Sequence, residues 1–376
     1  MKNILFITSI VPFPTYGGER IRTFGLISTL AKMGYHITAI VGKSENKDDI
    51  KKGHIDNVTF LEYDFPVSNN YVVRAFDYFR PDPNLAKIIL DLVAKQPFEL
   101  AFIDYAFLGQ YISLLKQHKI PVIYGTHNSQ AELVKQVDSN PLKGTINATL
   151  ASWHEKFYFD KADAILSVSS IDVQYHSKFT DSKKNFLIAN FVSKELYQYS
   201  SSKENYIIFS ANFTSVQNIN GLIWFLNNVW DDEIAAKTKL VIAGIKSKEA
   251  FQNTAITNKQ LNNIEVLGTV ADLKVLIANA VMSVVPLVEG SGTRLKCVEA
   301  MALKTQIVST SIGAEGIEHE GTIVIADTPE LFKTRIIEVL NGSINHVEKA
   351  YEIFSEKYSA ESNLLKLNSI IKSIVK

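Results

Sequence analysis

Cysteine is almost missing from this chain, with Cys297 the only one among 376 residues. One thiol excludes an internal disulfide framework and any zinc site built on cysteines, and it suits a reducing compartment. Long apolar runs are missing as well: no stretch reaches the roughly 18 uninterrupted apolar residues of a spanning helix, so any membrane contact is expected to be peripheral. The apolar start Asn3 to Thr8 is followed by Pro12 and Pro14 where a secretory leader would carry small residues, and it reads as a buried strand. An excess of either charge is absent, with Lys+Arg and Asp+Glu at 39 each. No global field therefore selects nucleic acid as a partner. Neither a P-loop nor a G-x-G-x-x-G fingerprint appears, which removes support for P-loop and nicotinamide chemistry. Heptads, repeats and low-complexity tracts are absent too.

What is present is ordinary globular composition, 46% hydrophobic and 21% charged, in a chain long enough for two domains of about 150 to 200 residues each. Short runs rich in Ile, Val and Phe recur at Asn3–Thr8, His36–Gly42, Leu100–Asp104, Pro121–Gly125 and Ala164–Val168, as expected of parallel strands covered on both faces. Between the first two, Ile21, Phe24, Ile27 and Leu30 keep a helical spacing that Gly34 ends. A polar stretch at Tyr199–Asn205 interrupts the alternation, which restarts at Tyr206–Ser210 and continues through Lys239–Ala243, Ile264–Leu267, Val281–Pro286, Gln306–Ser309 and Thr322–Ile325. The pattern predicts two doubly wound α/β units. The expected boundaries are an N-terminal domain over 1–198, a C-terminal domain over 199–355 and a final helix over 356–376.

Three strand-end loops carry candidate chemistry. After the first strand, Gly17 and Gly18 precede a helix whose N-terminus can face an anion, with Arg20 and Arg22 nearby; an unliganded turn with solvated arginines fits the residues equally. At the end of the Pro121–Tyr124 strand, His127 is placed for hydrogen bonding or proton transfer. Asp104, ending the Leu100–Ile103 strand, has a similar claim, and both fit structural roles too. The richest segment runs from Val284 to Ala302. A strand ends at Pro286, a Gly-Ser-Gly turn follows, and Thr293 is expected to cap a helix with Leu295, Val298, Met301 and Ala302 facing inward. That helix start reads as a diphosphate seat, with free N–H groups at Thr293 and Arg294. Arg294 and Lys296 add positive charge where a leaving diphosphate gains negative charge, and Glu289 and Glu299 offer acceptors for hydroxyl groups.

The run Glu289 to Ala302 (EGSGTRLKCVEAMA), with Ile307 to Gly316 behind it, resembles the donor-binding region of GT-B glycosyltransferases of the GT4-like group. The Pro-x-x-Gly-Gly loop, Thr126-His127-Asn128 and the Ile264–Val270 segment resemble that group in its order. The resemblance implies a GT-B fold: two Rossmann-like, doubly wound parallel-sheet domains facing a central cleft, with a C-terminal helix packing back on the N-terminal domain. It implies a retaining, metal-independent glycosyltransferase with no cofactor, taking a nucleotide-diphosphate sugar as substrate. In those terms Glu289 contacts the transferred sugar, Glu299 the ribose, Gly292 and Thr293 the diphosphate, and His127 the sugar. Gly17 and Gly18 line the phosphate or acceptor side, and Asp104 and Arg20 are acceptor-side candidates.

Two departures stand out. Nine residues lie between Glu289 and Glu299, more than that family's usual spacing. The family's basic pair after the first strand of the second domain is missing from Ser210–Asn218. The expectation is that Arg294 and Lys296 take over its role. The donor is expected to be UDP- or GDP-linked, the acceptor a saccharide or lipid-linked saccharide, and the place of action the cytoplasm or the inner face of the membrane, in cell-surface polysaccharide or glycolipid assembly. An apolar and basic stretch, Tyr71, Val72, Val73, Arg74, Phe76, Tyr78, Phe79 and Arg80, fits an acceptor-side or membrane-facing patch and fits a packed helix better. A non-catalytic nucleotide-sugar binder and a nucleotide-sugar 2-epimerase are the rival functions.

Overall fold

The computed structural model describes residues 2–375 except 16, 45–49, 51–52, 67–78, 106, 128, 130, 132–140, 200–201, 254–260 and 291, with backbone alone at 141–143 and 195–196. Most of the Tyr71–Arg80 stretch lies outside the described residues; Phe79 is inside them and packs on Tyr158 and His154. The chain forms two compact units, residues 1–191 with 360–376, and residues 192–359. The division falls at 191/192 and 359/360, where the sequence reading puts it at 198/199 and 355/356.

Among the described residues the first unit holds a seven-stranded parallel sheet: β1 (Asn3–Ile7), β2 (His36–Gly42), β3 (Val58–Tyr63), β4 (Leu100–Asp104), β5 (Val122–Gly125), β6 (Ala164–Ser167) and β7 (Asn185–Leu187). Their spatial order is β3-β2-β1-β4-β5-β6-β7. The chain winds outward from β1 to β3, then returns to the other side of β1 with β4. That reversal is the switch point where an open α/β sheet leaves room for a ligand beyond its strand ends. The sheet is covered on both faces, as its continuous apolar strands require. Ile4 and Phe6 pack with Leu26, Ile27 and Leu30, while Leu5 and Ile7 face Leu85, Ile89 and Phe159.

The second unit repeats the scheme with β8 (Glu204–Ser210), β9 (Lys239–Ala243), β10 (Ile264–Gly268), β11 (Ala280–Val285), β12 (Gln306–Ser309) and β13 (Val324–Ile325), in the order β10-β9-β8-β11-β12-β13. Its switch point lies between β8 and β11. The core under this sheet is aromatic, with Phe209, Phe225, Trp230 and Phe332 all buried.

The tail that reads as one helical stretch is broken in the structure. The helix Val347–Ile353 runs into a wider turn over Phe354–Tyr358, and Ser359 is extended. The Val192 N–H donates to the Tyr358 carbonyl, and Val192 bridges Ser359. The following helix, Ala360–Ile374, belongs to the first unit, where Leu367, Ile370 and Ile371 are buried with Leu26 and Leu30. Each fully buried side chain of that kind contributes about 1.5 to 3 kcal/mol.

Candidate active site

In the second unit the loop after β11 meets the start of the helix Val216–Asn228, which follows β8, at the switch point. Past β11 the backbone turns at Gly290 and Gly292, with φ of 103° and 93°, values that favour glycine. A Cβ on Gly290 would lie 2.4 Å from Gln217, so the loop after β11 touches the first turn of the helix Val216–Asn228. The helix Leu295–Ala302 follows. Its N-cap is Arg294, without a side-chain cap, so Thr293 does not cap it as expected. The Thr293 hydroxyl oxygen is buried and makes no hydrogen bond among the described residues. Of the two N–H groups read as a seat, that of Arg294 donates to the Glu315 carbonyl at 3.3 Å.

The two basic residues part company. Arg294 is 8% exposed; its Nε donates to the Ile312 carbonyl at 3.0 Å and its Nη2 lies 3.7 Å from Glu315 Oε2. Burial lowers its pKa against the pull of Glu315, and its fork is committed to the 312–315 turn. Lys296 instead reaches the first turn of the helix Val216–Asn228 that follows β8, where its Nζ donates to Asn218 Oδ1 at 2.9 Å. Burial, with Arg294 adding to it, brings its pKa down to about 8, against the opposing pull of Cys297 and Glu299. A cation thus stands at the stretch from which the basic pair is missing. Neighbouring Cys297 is fully buried, its Sγ donating to the Gly313 carbonyl at 3.3 Å, and burial pushes its thiol up to about 12, which leaves it inert.

The two glutamates sit in different surroundings. Glu289 is exposed and accepts from Asn220 Nδ2 at 2.7 Å. Glu299 accepts from the Tyr197 hydroxyl at 2.7 Å. Burial raises the Glu299 pKa, while Tyr197, Lys274 and Lys296 work in the opposite direction. Tyr197, Asn218 and Asn220 are partners that sequence reasoning missed. The signal for the asparagines was the polar stretch Asn212–Asn220 beyond a strand's carboxyl end; nothing local pointed to Tyr197, 102 positions from Glu299. A cavity of about 330 Å³ opens beside Ala302, Leu303 and Lys304, lined also by Tyr197, Tyr199 and Tyr351. It lies at the far end of the helix from Thr293.

In the first unit, Gly17 (φ 90°) is the N-cap of the helix Gly18–Lys32, and both glycines are exposed. Arg20 folds back so that its Nη1 donates to the Phe13 carbonyl at 3.1 Å, which ties the loop to its own helix. Arg22, read above as one of two solvated arginines, is 1% exposed. Its Nη1 donates to the Ile188 carbonyl and to Asn190 Oδ1, both at 3.1 Å. The physical reason is charge: Asp104 and Asp172 both stabilise the buried guanidinium against desolvation.

Asp104 and His127 prove to be neighbours. Asp104 pairs with Gly125 across β4 and β5, and two residues on, His127 Nε2 lies 3.2 Å from Asp104 Oδ1. Asp104 Oδ2 accepts from Thr23 Oγ1 at 2.9 Å. Burial opposes the Asp104 charge, yet His127, Arg22 and Thr23 hold its pKa below the ordinary value. Asp104 is completely buried, so its place is behind His127 and not on a surface open to an acceptor.

Two parallel Rossmann-like sheets, each with its polar loops at the switch point, define the class as the GT-B fold, which bears out the resemblance read from Glu289–Gly316. Residues 204–342 match the family described as Glycosyl transferases group 1, so the second unit carries a domain of that family. An uncharacterised 44.6 kDa protein in the cps region of Klebsiella pneumoniae is 23% identical over 380 residues, covering 94% of this chain and 95% of that protein. Among solved structures, sucrose-phosphate synthase from Thermosynechococcus elongatus superposes with a TM-score of 0.75 at 16% identity, covering 99% of both chains. HepE of Anabaena, in complex with UDP, gives 0.69 at 13% identity, over 99% of this chain and 100% of its own. TarM of S. aureus, in a complex that includes UDP, gives 0.70 at 12%, with the same coverage.

Proposed function

We propose that the protein moves a sugar from a nucleoside-diphosphate sugar to a hydroxyl acceptor, with retention of the anomeric configuration, in cell-surface polysaccharide assembly. The observation that carries this reading is Lys296, whose ammonium meets Asn218 beside the start of the helix Leu295–Ala302 in a glycosyl transferases group 1 domain. A leaving diphosphate gains negative charge as the bond from sugar C1 to phosphate oxygen breaks, and a fixed cation there lowers the barrier. The acceptor oxygen forms the new bond to C1 on the same face. Its proton passes to the departing phosphate oxygen, which keeps the electron pair of the broken bond. Glu289, held by Asn220, accepts from a sugar hydroxyl, and Glu299, held by Tyr197, from the ribose. Gly292 and the Thr293 hydroxyl, which makes no hydrogen bond among the described residues, serve the diphosphate. Arg294 acts by holding the turn beneath them. His127, backed by Asp104, serves the transferred sugar, and Gly17 and Gly18 serve the phosphate or acceptor side.

The Klebsiella relative's place in a cps region supports a capsule-like product. The UDP complexes of HepE and TarM support a UDP-linked donor. The acceptor is a saccharide, lipid-linked and met at the inner face of the membrane. Thermal-shift measurements with UDP, GDP, ADP and CMP, followed by transfer assays with the matching sugar nucleotides and determination of the product anomer, test the proposal. One nucleotide is expected to stabilise strongly. Stabilisation without transfer or hydrolysis would leave a binding protein, and turnover of UDP-GlcNAc with no acceptor would mean an epimerase.

A further inference from the structure

The helix Pro141–Phe159 in the first unit buries His154, Glu155, Tyr158 and Phe159. Its opposite side is apolar as well. Ile146, Leu150, Trp153 and Phe157 follow one another at steps of four, three and four residues, which places them on one line along a helix. Ile146 is 61% exposed, Trp153 62% and Phe157 50%, with Leu150 partly covered. Elsewhere among the described residues, large exposed apolar side chains stand singly on their elements, as is normal for a surface. Four in a row need an occupant.

The rim of this stripe is basic. Lys156 is exposed beside Phe157, and Lys161 places its Nζ 3.6 Å from the centre of the Phe157 ring. Lys184 reaches the same end of the helix, where its Nζ donates to the Asp160 carbonyl at 3.1 Å. Glu155, the acid within the helix, is buried and accepts from the Tyr175 hydroxyl, leaving Asp160 as the nearest exposed acid in sequence.

We infer that this stripe docks the protein on an anionic phospholipid surface. A helix lying in the headgroup region sinks its apolar face about 5 to 10 Å, with basic residues beside the phosphates. Tryptophan prefers that depth, because its ring is apolar and its N–H needs a wet partner. Charge complementarity favours lipid, and so does size. The four side chains offer roughly 400 Å² of apolar surface, about half of the roughly 800 Å² each partner of a standard dimer buries. The inference rests on the proposed function only in giving the lipid-linked acceptor a surface to be met on.

The test uses the full chain and extruded vesicles of phosphatidylcholine with or without phosphatidylglycerol. The wild type is expected to co-sediment with the phosphatidylglycerol vesicles, less so as salt is added. The Trp153→Ser/Phe157→Ser double variant is expected to bind at least tenfold more weakly, with its UDP-induced thermal shift unchanged. That shift separates failure of docking from failure of the donor reading. Vesicles should move the tryptophan emission of the wild type to the blue, and Trp153→Phe should abolish the shift while keeping most of the binding. Sedimentation equal in wild type and double variant, no sedimentation at all, or a wild-type dimer that the double variant dissolves without any vesicle binding, would each overturn the inference.

Discussion

Lys296→Met removes a largely enclosed ammonium while keeping most of its aliphatic volume. Burial holds the folded pKa at about 8 against an ordinary 10.5. The difference amounts to about 3 kcal/mol favouring the unfolded state wherever the unfolded chain carries the proton. The sign follows from proton counting. Between pH 8 and 10.5 the unfolded chain holds a proton that the folded one has released, so stability rises with pH through that window. Below pH 8 the full penalty is present. Losing the hydrogen bond to Asn218 returns about 1 kcal/mol, so methionine should stabilise the protein by roughly 2 kcal/mol at pH 7, a melting temperature about 4 to 8 °C higher. Turnover should move the opposite way, because losing a charge from the transition state costs about 2 to 4 kcal/mol, or roughly 30- to 1000-fold in kcat. In the wild type, kcat/KM should fall as pH rises through about 8. Scanning calorimetry and a transfer assay on one preparation read both effects. Turnover near that of the wild type would refute the role of Lys296 at the diphosphate, and a lowered melting temperature would refute the burial penalty.

Asp104→Asn removes a carboxylate that favours the buried Arg22 guanidinium and faces His127 and Thr23, so urea unfolding should show a loss of about 1 to 3 kcal/mol. Because the folded pKa of Asp104 is depressed, the stability it contributes is present above pH 4 and disappears as pH falls through the folded pKa; the wild type should lose stability in that acid range more steeply than the variant. Tyr197→Phe removes the hydroxyl that holds Glu299, and calorimetric titration should show UDP affinity about tenfold weaker, with little change for a 2′,3′-dideoxy analogue that has no ribose hydroxyls. Gly290→Ala forces a Cβ into Gln217 at a positive φ, and should cost about 1 to 3 kcal/mol of stability together with donor binding; an unchanged melting curve would mean that the loop and the helix start at Gln217 do not need this contact.

Much of the architecture was legible along the chain because parallel strands buried on both faces are written as uninterrupted apolar runs: β1, β2, β4, β5, β6, β8, β9, β11 and β12 all lie where such runs stand. β3 escaped because its residues are only partly buried and Glu62 interrupts it, and β7 because it is three residues long. The break at Ser359 was invisible, since its cause is a pairing with Val192, far away in sequence.

At the site, residue types and strand-end positions were readable, and partnerships were not. Asp104 and His127 each looked isolated because the register of β4 against β5 is what brings them together. Arg22 looked solvated because the carboxylates that allow its burial come from other elements. Arg294 and Lys296 looked like a pair, yet Arg294 is the N-cap with non-helical backbone and Lys296 lies within the helix, so one turns to the 312–315 turn and the other to Asn218. Local patterning therefore determined the class of fold and the segment Glu289–Glu299. Only the tertiary structure decided which of its charges is tied to the 312–315 turn and which turns to Asn218, because burial and long-range partners, and not residue identity, set the state of an ionisable group.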